Sequence, residues 1–235
     1  MRRILYIART KMQPQEIESR KNVLQSIANK DSQVDLKGGT QVPSIESAYE
    51  GYLTIPEACK TAIEAVKEGY QALVLGCFSD PGLDAIRELV NIPVVGPGQT
   101  SVHVASLLGD RFTILATGPR RREFSSSRYP ALGNKLASIR GIGMSVLDVR
   151  QNKQKAIQLL IGEGKKAIEE DGAEVAVLGC LSLAFHRVDE DLKGHLPIPV
   201  VNPIKAAVKA AEMLIDLGLA HSKITYPTPK QTYTM

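Results

Sequence analysis

The sequence predicts an α/β fold made of two pseudo-symmetric lobes, each with a parallel sheet of the flavodoxin or Rossmann type flanked by helices. Three observations support this prediction. Short runs of β-branched residues alternate with longer segments of helical periodicity. A pattern of strand, Gly-Cys and second strand occurs twice. The chain has 235 residues, which is enough for one large domain or two smaller lobes.

Eight short apolar runs are predicted to be the strands of these sheets, and helices are expected to fill most of the gaps between them. Such an alternation is typical of parallel strands joined by helices that cover both faces of a sheet. The predicted strands are Arg3–Ala8, Gln33–Leu36, Ala72–Leu75, Pro93–Val95, Phe112–Ala116, Gly143–Asp148, Val175–Leu178 and Pro199–Val201.

The repeat is visible at residue level. Residues 72–77 read Ala-Leu-Val-Leu-Gly-Cys and residues 175–180 read Val-Ala-Val-Leu-Gly-Cys. Further along each copy, Ile-Pro-Val-Val-Gly-Pro at residues 92–97 corresponds to Ile-Pro-Val-Val-Asn-Pro at residues 198–203. A repeat of roughly 100 residues indicates duplication of a half-protein, because solenoid repeats have periods of about 20–50 residues.

The duplication predicts where the lobes begin and end. Residues 1–97 together with 205–235 are expected to form an N-terminal α/β lobe that includes a returning C-terminal helix and a tail. Residues 98–204 are expected to form the second α/β lobe.

Two of the three cysteines occupy matched positions in the repeat. Cys77 and Cys180 each follow a Gly at the carboxyl end of a predicted buried strand. Open α/β sheets bind ligands at this edge, and a Gly permits the tight turn into the next helix. The third cysteine, Cys59, lies within a helical segment and has no counterpart in the second half, so we predict a structural role for it.

A matched pair of thiols is suited to inverting a carbon next to a carbonyl group. Inversion removes a proton from one face of the carbon and returns one to the other face, so two groups must flank the substrate. A thiolate and a thiol exchange these roles at each turnover. The chain has no nucleotide-binding glycine motif, no Walker loop and no metal-binding spacing of Cys or His, so we expect no cofactor and no metal.

The residues around the first cysteine resemble a known family. Residues 74–88 read Val-Leu-Gly-Cys-Phe-Ser-Asp-Pro-Gly-Leu-Asp-Ala-Ile-Arg-Glu, which is similar to the hydantoin and allantoin racemase branch of the Asp/Glu/hydantoin racemase superfamily. Residues 172–180 and 44–47 resemble further segments of that branch. The resemblance covers most of the chain, and it implies two pseudo-symmetric α/β lobes with the active site in the cleft between them.

The resemblance also assigns roles to individual residues. It implies that Cys77 and Cys180 are the catalytic proton-transfer pair and that Thr117 contacts substrate. Ser79, Asp80 and Gly82 are expected to shape the first cysteine loop. Ser44 and Glu46 are each either a ligand contact or an ordinary capping or solvated residue, and His103 is expected to be a helical surface or packing residue. The substrate-binding candidates are Arg9, Thr10, Ser44, Phe78, Ser79, Thr117, Leu181 and His186.

The chain departs from its relatives at three places. Hydantoin racemases usually carry Pro-Asn-Ser/Thr after the first strand, whereas this chain has Arg9 and Thr10. Gln41-Val42-Pro43 replaces the usual Gly-Pro, and Leu181-Ser182 replaces small residues. Arg9 is either a solvated surface charge or a partner for a substrate carboxylate, because a guanidinium binds carboxylates in two-point fashion. Hydantoin specificity is therefore left open.

The sequence thus predicts a cofactor-independent racemase or epimerase that acts on a hydantoin- or allantoin-like small molecule. The alternatives are a racemase of acidic amino acids, an enzyme resembling maleate isomerase or a single-cysteine decarboxylase, and a non-catalytic small-molecule binder or thiol-redox sensor. A reversible disulfide between the two cysteines would favour the sensor.

Composition limits the partners that we expect. The net charge of +4 is spread among acidic residues apart from Arg120–Arg122, and aromatic residues make up 5% with no Trp, which disfavours nucleic-acid binding. No apolar run is long enough for a membrane span or a signal peptide. We therefore expect a cytoplasmic protein that binds neither nucleic acid nor membrane and forms a homo-oligomer.

Overall fold

Four parallel strands form the sheet in the first part of the chain. The computed structural model describes residues 1–39, 42–118 and 135–231. The strands occur in the order β2-β1-β3-β4. The central strand β1 is apolar and buried from Ile4 to Ala8, as expected for a parallel strand covered on both faces. The strands are β1 (Arg2–Ala8), β2 (Ser32–Gly38), β3 (Ala72–Gly76) and β4 (Val94–Val95).

Helix α3 shows how the sequence covers this sheet. Its buried residues recur at helical spacing along one face, and they pack with side chains of β1 and β3 in a single apolar core. Cys59 belongs to this core, which agrees with its predicted structural role. The helices of this part are α1 (Pro14–Ile27), α2 (Ala48–Leu53), α3 (Ile55–Lys67) and α4 (Leu83–Leu89).

The second part of the chain repeats the same sheet topology. Its four parallel strands occur in the order β6-β5-β7-β8. In both sheets the order is therefore second, first, third and fourth strand along the chain. The central strands β5 and β7 are buried along their whole length, whereas the edge strand β6 is only partly buried. The strands are β5 (Phe112–Ala116), β6 (Leu136–Gly141), β7 (Val175–Leu178) and β8 (Val200–Val201).

Helices again cover the second sheet. The longest, α7, ends at Asp171, and the next residue, Gly172, adopts the left-handed conformation that favours glycine after a helix. A core cluster joins α7 to the strands and to the short helices after β7. The helices of this part are α5 (Pro97–Leu108), α6 (Val146–Gln151), α7 (Lys153–Asp171), α8 (Leu181–Phe185) and α9 (Val188–Leu192). Helix α10 (Pro203–Asp216) follows β8, and its residues from Ala207 onward contact the first part of the chain.

Backbone contacts divide the chain into two compact units. Unit 1 comprises Met1–Pro97 and the residues from Ala207 onward, and unit 2 comprises Gly98–Ala206. Within the three described ranges, no helix has the length and apolar character that crossing a membrane requires.

One predicted strand was wrong. Residues 143–148 were expected to form a strand, but β6 ends at Gly141 and helix α6 begins at Val146. A short apolar run suggested a strand, whereas Ser145 and Asp148 form a reciprocal capping box that begins a helix. The other seven predicted strands correspond to observed strands, with ends that differ by at most three residues.

The segment after α10 packs on unit 1 without regular secondary structure as far as Gln231. The backbone N–H of Val94 donates to Nε2 of His221 at 2.8 Å. Nζ of Lys223 donates to three carbonyl groups at the end of α4, at distances of 2.8–3.0 Å. The Arg87 guanidinium donates to the Tyr226 hydroxyl at 3.0 Å. We call residues 217–231 the tail segment.

Candidate active site

The strand register of unit 1 brings Arg9 beside Cys77. Ala8, the last residue of β1, pairs with Gly76, the last residue of β3. The next residues on these neighbouring strands are Arg9 and Cys77. Gly76 makes this approach possible, because a Cβ there would lie 2.6 Å from the carbonyl oxygen of Ile7. Both side chains therefore begin at the carboxyl edge of the sheet.

Cys77 is a half-buried free thiol with a nearby hydroxyl group. Its Sγ lies 3.2 Å from Oγ of Ser79. Burial raises the pKa of the Cys77 thiol, and hydrogen bonds from the side chain and backbone of Ser79, together with the charge of Arg9, act in the opposite direction. The Asp80 carboxylate raises this pKa further. Burial has the largest effect, so the pKa of the Cys77 thiol lies above its ordinary value despite the contacts from Ser79 and the charge of Arg9.

The loop after Cys77 is held in a specific backbone conformation. Asp80 is 1% exposed and has a φ of 48°, in the left-handed region. Gly82 also lies in this region and precedes α4. A Cβ on Gly96 would lie 2.6 Å from Cγ of Asp80, so the Asp80 carboxyl group packs directly on the Gly96 backbone. These contacts agree with the loop-shaping role predicted for Asp80 and Gly82.

Arg9 is buried rather than solvated, so the sequence-based option of a surface charge was wrong. Only 2% of its surface is exposed. Nε and Nη2 donate to Oγ1 of Thr54 at 3.0 and 2.7 Å, and that hydroxyl in turn donates to the carbonyl of Gly51 at 2.7 Å. Nη1 of Arg9 has no hydrogen-bond partner among the described residues. Burial lowers the pKa of Arg9, while Cys77 and nearby acidic groups raise it.

Unit 2 places Thr117 beside Cys180 in the equivalent way. Leu115 pairs with Leu178, and the N–H of Gly179 donates to the Leu115 carbonyl at 2.8 Å. Two residues further on, Thr117 and Cys180 follow their strands side by side. By this register, Thr117 occupies in unit 2 the position that Arg9 occupies in unit 1. Thr117 is also buried, with 6% of its surface exposed.

Cys180 is more buried than Cys77. It is 7% exposed and belongs to the apolar core cluster of unit 2. It precedes the first residue of α8, and its carbonyl accepts from the N–H of Ala184 at 3.2 Å. Ser182 matches Ser79 in the repeat, but its Oγ accepts from Nε of Arg150 at 3.4 Å. The two cysteines therefore have similar backbone positions and different surroundings.

Asn202 holds the segment after Cys180 in place, and the sequence-based site prediction did not include it. Its Nδ2 donates to the Ala184 carbonyl at 3.1 Å and to Oδ1 of Asp189 at 2.6 Å. Its Oδ1 accepts from the N–H groups of Ile204 and Lys205 at the start of α10. The signal was present in the repeat, because an Asn replaces Gly96 directly before a Pro that begins a helix.

The remaining predicted site residues are distributed over both units. In unit 1, Thr10 is half-buried with its backbone against Gly39, and Ser44 and Phe78 are buried. In unit 2, Leu181 is buried, and His186 is half-buried at the end of α8. These contacts neither assign a substrate to the five residues nor exclude one.

Three further expectations concern polar or charged side chains. Ser47, not Ser44, caps α2, in a reciprocal pair with Glu50. His103 is exposed on α5, as expected for a surface residue of a helix. Gln41 and Arg120–Arg122 lie outside the described residues. Thr54, which binds Arg9, was missed because nothing in the sequence links it to the end of β1.

The chemical capacity of these groups is nucleophilic and acid–base. Each unit places one free cysteine at the carboxyl edge of its sheet. Within the ranges that the structure describes, no group of three or more His, Cys, Asp or Glu side chains is arranged to hold a metal ion. The two free cysteines offer thiol chemistry at these edges.

Comparison with known proteins agrees with this arrangement. Residues 21–211 match the family model described as Asp/Glu/Hydantoin racemase. A hydantoin racemase from Pseudomonas sp. (strain NS671) is 37% identical over 210 residues, which cover 88% of this chain and 84% of that protein. A hydantoin racemase from Paenarthrobacter aurescens is 38% identical over 194 residues, covering 80% of each chain.

A solved structure supports the same assignment. The allantoin racemase from Pseudomonas fluorescens has a TM-score of 0.87 and 29% sequence identity, and the match covers 100% of both chains. The agreement extends over both units. The chain therefore belongs to the Asp/Glu/hydantoin racemase family, and it is an isomerase of the racemase type.

Proposed function

We propose that this racemase inverts a carbon next to a carbonyl group by proton transfer between Cys77 and Cys180. The observation that carries the proposal is the duplicated sheet edge: each cysteine follows the same central strand of a sheet with the same strand order. Chance burial of a small apolar residue does not explain a matched pair at this edge. Both cysteines are free thiols.

The proton inventory of the reaction balances without a cofactor. The thiolate of one cysteine takes the α-proton and becomes a thiol, leaving an enolate-like carbanion. The thiol of the other cysteine donates its proton to the opposite face and becomes a thiolate. The reverse reaction exchanges the two roles, so the pair acts on both enantiomers. The mechanism requires the two sulfurs to reach opposite faces of one substrate carbon.

We propose a hydantoin- or allantoin-like ring as the substrate. The relatives named above are hydantoin and allantoin racemases. The C–H bond at C5 of such rings is next to a carbonyl group, so its removal gives a resonance-stabilised anion. Direct binding of an acidic amino acid by Arg9 is less well supported, because the guanidinium is buried and two of its nitrogens are bonded to Thr54.

Racemisation of single-enantiomer 5-substituted hydantoins, allantoin, aspartate and glutamate in D₂O tests the proposal. We expect loss of optical rotation and deuterium at the inverted carbon for a cyclic ureide. Cys77→Ala and Cys180→Ala should each lower the rate of racemisation by at least 10³-fold, since each removes one proton-transfer group. Each variant should still exchange the α-proton of one enantiomer only, and the two variants should differ in which enantiomer that is.

Cys59→Ala is the matched control. Cys59 is a buried thiol in the core of unit 1, so this variant should keep its racemase activity. Racemisation that persists in Cys180→Ala would contradict the two-cysteine mechanism. Turnover of aspartate or glutamate without turnover of any cyclic ureide would contradict the substrate class and leave the mechanism standing.

A further inference from the structure

Arg9 presents an unusual balance of charge. A buried guanidinium ordinarily has a carboxylate partner, because the removal of an unpaired charge from water is costly. Arg9 is 2% exposed, yet its only hydrogen-bond acceptor among the described residues is the neutral hydroxyl of Thr54. Its Nη1 has no such partner within those residues. The charge therefore needs compensation from a nearby anion.

The strand register identifies the neighbouring group that can carry this anion. Arg9 and Cys77 follow the paired residues Ala8 and Gly76 on adjacent parallel strands. A thiol that ionises beside a cation becomes a thiolate at lower pH. Of the charged groups that act on Arg9, Cys77 has the largest effect in retaining its charge. Cys77 as a whole residue is half-buried.

We propose that Arg9 acts as the counter-ion when Cys77 ionises, and thereby offsets part of the cost of forming a thiolate at this buried base. Its catalytic consequence rests on the proposed function, whereas the ion pair itself does not. Arg9 acts through Cys77 and is thus a positioning residue. A direct contact between Nη1 and substrate is not favoured, because that atom has almost no accessible surface.

Other titratable groups modify this pair. Asp80, from the loop after Cys77, raises the pKa of the Cys77 thiol and so opposes Arg9. Asp80 also favours the charged form of Arg9, as do Cys59 and Glu57 from α3. Burial raises the pKa of Cys59. From β1, the buried Tyr6 has a pKa raised by burial, so it stays neutral. The guanidinium remains the cation that acts most directly on Cys77.

Unit 2 provides a natural comparison. The position equivalent to Arg9 holds the neutral Thr117, and the cation found near that cysteine loop, Arg150, donates to Ser182. The two units therefore share the backbone arrangement at these strand ends. The residue after β1, beside Cys77, is a buried arginine, whereas the equivalent residue after β5, beside Cys180, is neutral. The inference concerns Cys77 alone for this reason.

The test measures the reactivity of Cys77 rather than turnover. In the full chain with Cys59→Ser and Cys180→Ser, the rate of alkylation by iodoacetamide is followed against pH, and its midpoint reports the ionisation of Cys77. Arg9→Met and Arg9→Gln should each move the midpoint upward by about one pH unit, which is a tenfold loss of thiolate near neutral pH. Arg9→Lys keeps the positive charge, so its alkylation midpoint should stay close to that of the chain with Arg9.

Two neutral replacements guard against a folding failure, since Gln keeps a donor for Thr54 and Met replaces a buried charge by an apolar chain. Arg20→Met is the matched control, because Arg20 is also a buried arginine of unit 1 but pairs with Glu16 on α1. This control should leave the midpoint unchanged. Circular dichroism verifies the fold of every variant.

Activity supplies the second readout. With Cys59 and Cys180 intact, the neutral Arg9 variants should lose about tenfold in kcat/KM at pH 7 for the enantiomer that Cys77 deprotonates, and higher pH should recover the loss. If Arg9→Met or Arg9→Gln folds and its alkylation midpoint is unchanged, the proposal that Arg9 is the counter-ion of Cys77 is wrong. If the midpoint shifts but the wild-type chain racemises none of the substrates, the counter-ion stands and the proposed function fails.

Discussion

At the scale of single residues, the environment of each cysteine matters more than its presence. Cys77 is half-buried and lies within reach of the Ser79 hydroxyl, whereas Cys180 is 7% exposed and its matching Ser182 contacts Arg150. A thiol at pKa about 8.5 is mostly protonated at neutral pH, so small differences in nearby hydrogen-bond donors change the fraction of thiolate at each sulfur. The repeat alone predicts equivalent surroundings for the two cysteines, but the neighbouring side chains make these surroundings different.

Ser79→Ala should weaken the base. The substitution removes the 3.2 Å contact between Oγ and the Cys77 sulfur, while the backbone N–H of Ser79 remains to lower the pKa. We expect the pKa of the Cys77 thiol to rise by about 1–2 units, the range of a single hydrogen bond to a charged group. Alkylation rates against pH measure the shift.

Ser182→Ala is the control for this prediction, because Ser182 has the same position in the repeat and lies in the other unit. It should leave the alkylation midpoint of Cys77 unchanged. A midpoint that stays constant in Ser79→Ala would mean that the hydroxyl does not stabilise the thiolate.

At the scale of elements, glycines lie where two strands approach each other too closely for a Cβ atom. Gly76 and Gly179 end equivalent strands, and a Cβ at either position would approach the neighbouring strand to within 2.6 and 2.7 Å. The two glycines are therefore required by packing as well as by the turn that follows. Helix α7 contains a contrasting pair, because Gly162 is exposed with open space around it and Gly164 packs against Leu196.

Alanine at these two positions of α7 should have opposite effects. Gly162→Ala should raise the free energy of unfolding by about 0.5–1 kcal/mol, since alanine loses less backbone entropy in a helix. Gly164→Ala should lower it by about 1–3 kcal/mol, because the new Cβ would lie 2.6 Å from Cδ1 of the buried Leu196. Urea unfolding of both variants measures the difference. Equal effects would show that the helix has room at both positions.

At the scale of the whole molecule, the chain forms two α/β units with the same strand order, and its last described residues pack on the first unit. Residues from Ala207 onward belong to unit 1, and the tail segment fastens to α4 and β4 through His221, Lys223 and Tyr226. The irregular backbone of the tail segment is thereby given specific partners. Its contribution to stability depends on pH through His221.

Burial and the nearby charges of Arg87 and Lys223 lower the pKa of His221 from its ordinary 6.5 to about 4. The unfolded chain therefore binds a proton at higher pH than the folded chain does. The contribution of His221 to stability is fully present above about pH 6.5 and is lost as the pH falls towards 4. For a half-buried group, solvent screening reduces this contribution to about 1–2 kcal/mol.

His221→Gln should remove this pH dependence. The free energy of unfolding of the unsubstituted chain should fall between pH 6.5 and 4 by about 1–2 kcal/mol more than that of the variant. Urea unfolding of the full chain at several pH values gives the difference. The exposed His103 provides the control substitution, His103→Gln, which should follow the unsubstituted chain. Parallel curves for all three proteins would contradict the role of His221.

The sequence by itself determined the parallel α/β class, the duplication, and the place of Cys77 and Cys180 at matched strand ends. These features are local, because each depends on runs of apolar residues and on the glycines that end them. The misassigned strand at residues 143–148 shows the limit of this reasoning, because the same short segment holds an apolar run and a capping box. Only the observed backbone showed that the capping box begins a helix there.

Only the tertiary structure decided the environments of the two cysteines. The burial of Arg9, its bond to Thr54 and its place beside Cys77 join residues that are far apart in sequence. The same holds for Asn202 with Asp189, and for Lys223 with the end of α4. Sequence patterns report periodicity along the chain, whereas charge compensation depends on distances across it, and those distances exist only after folding.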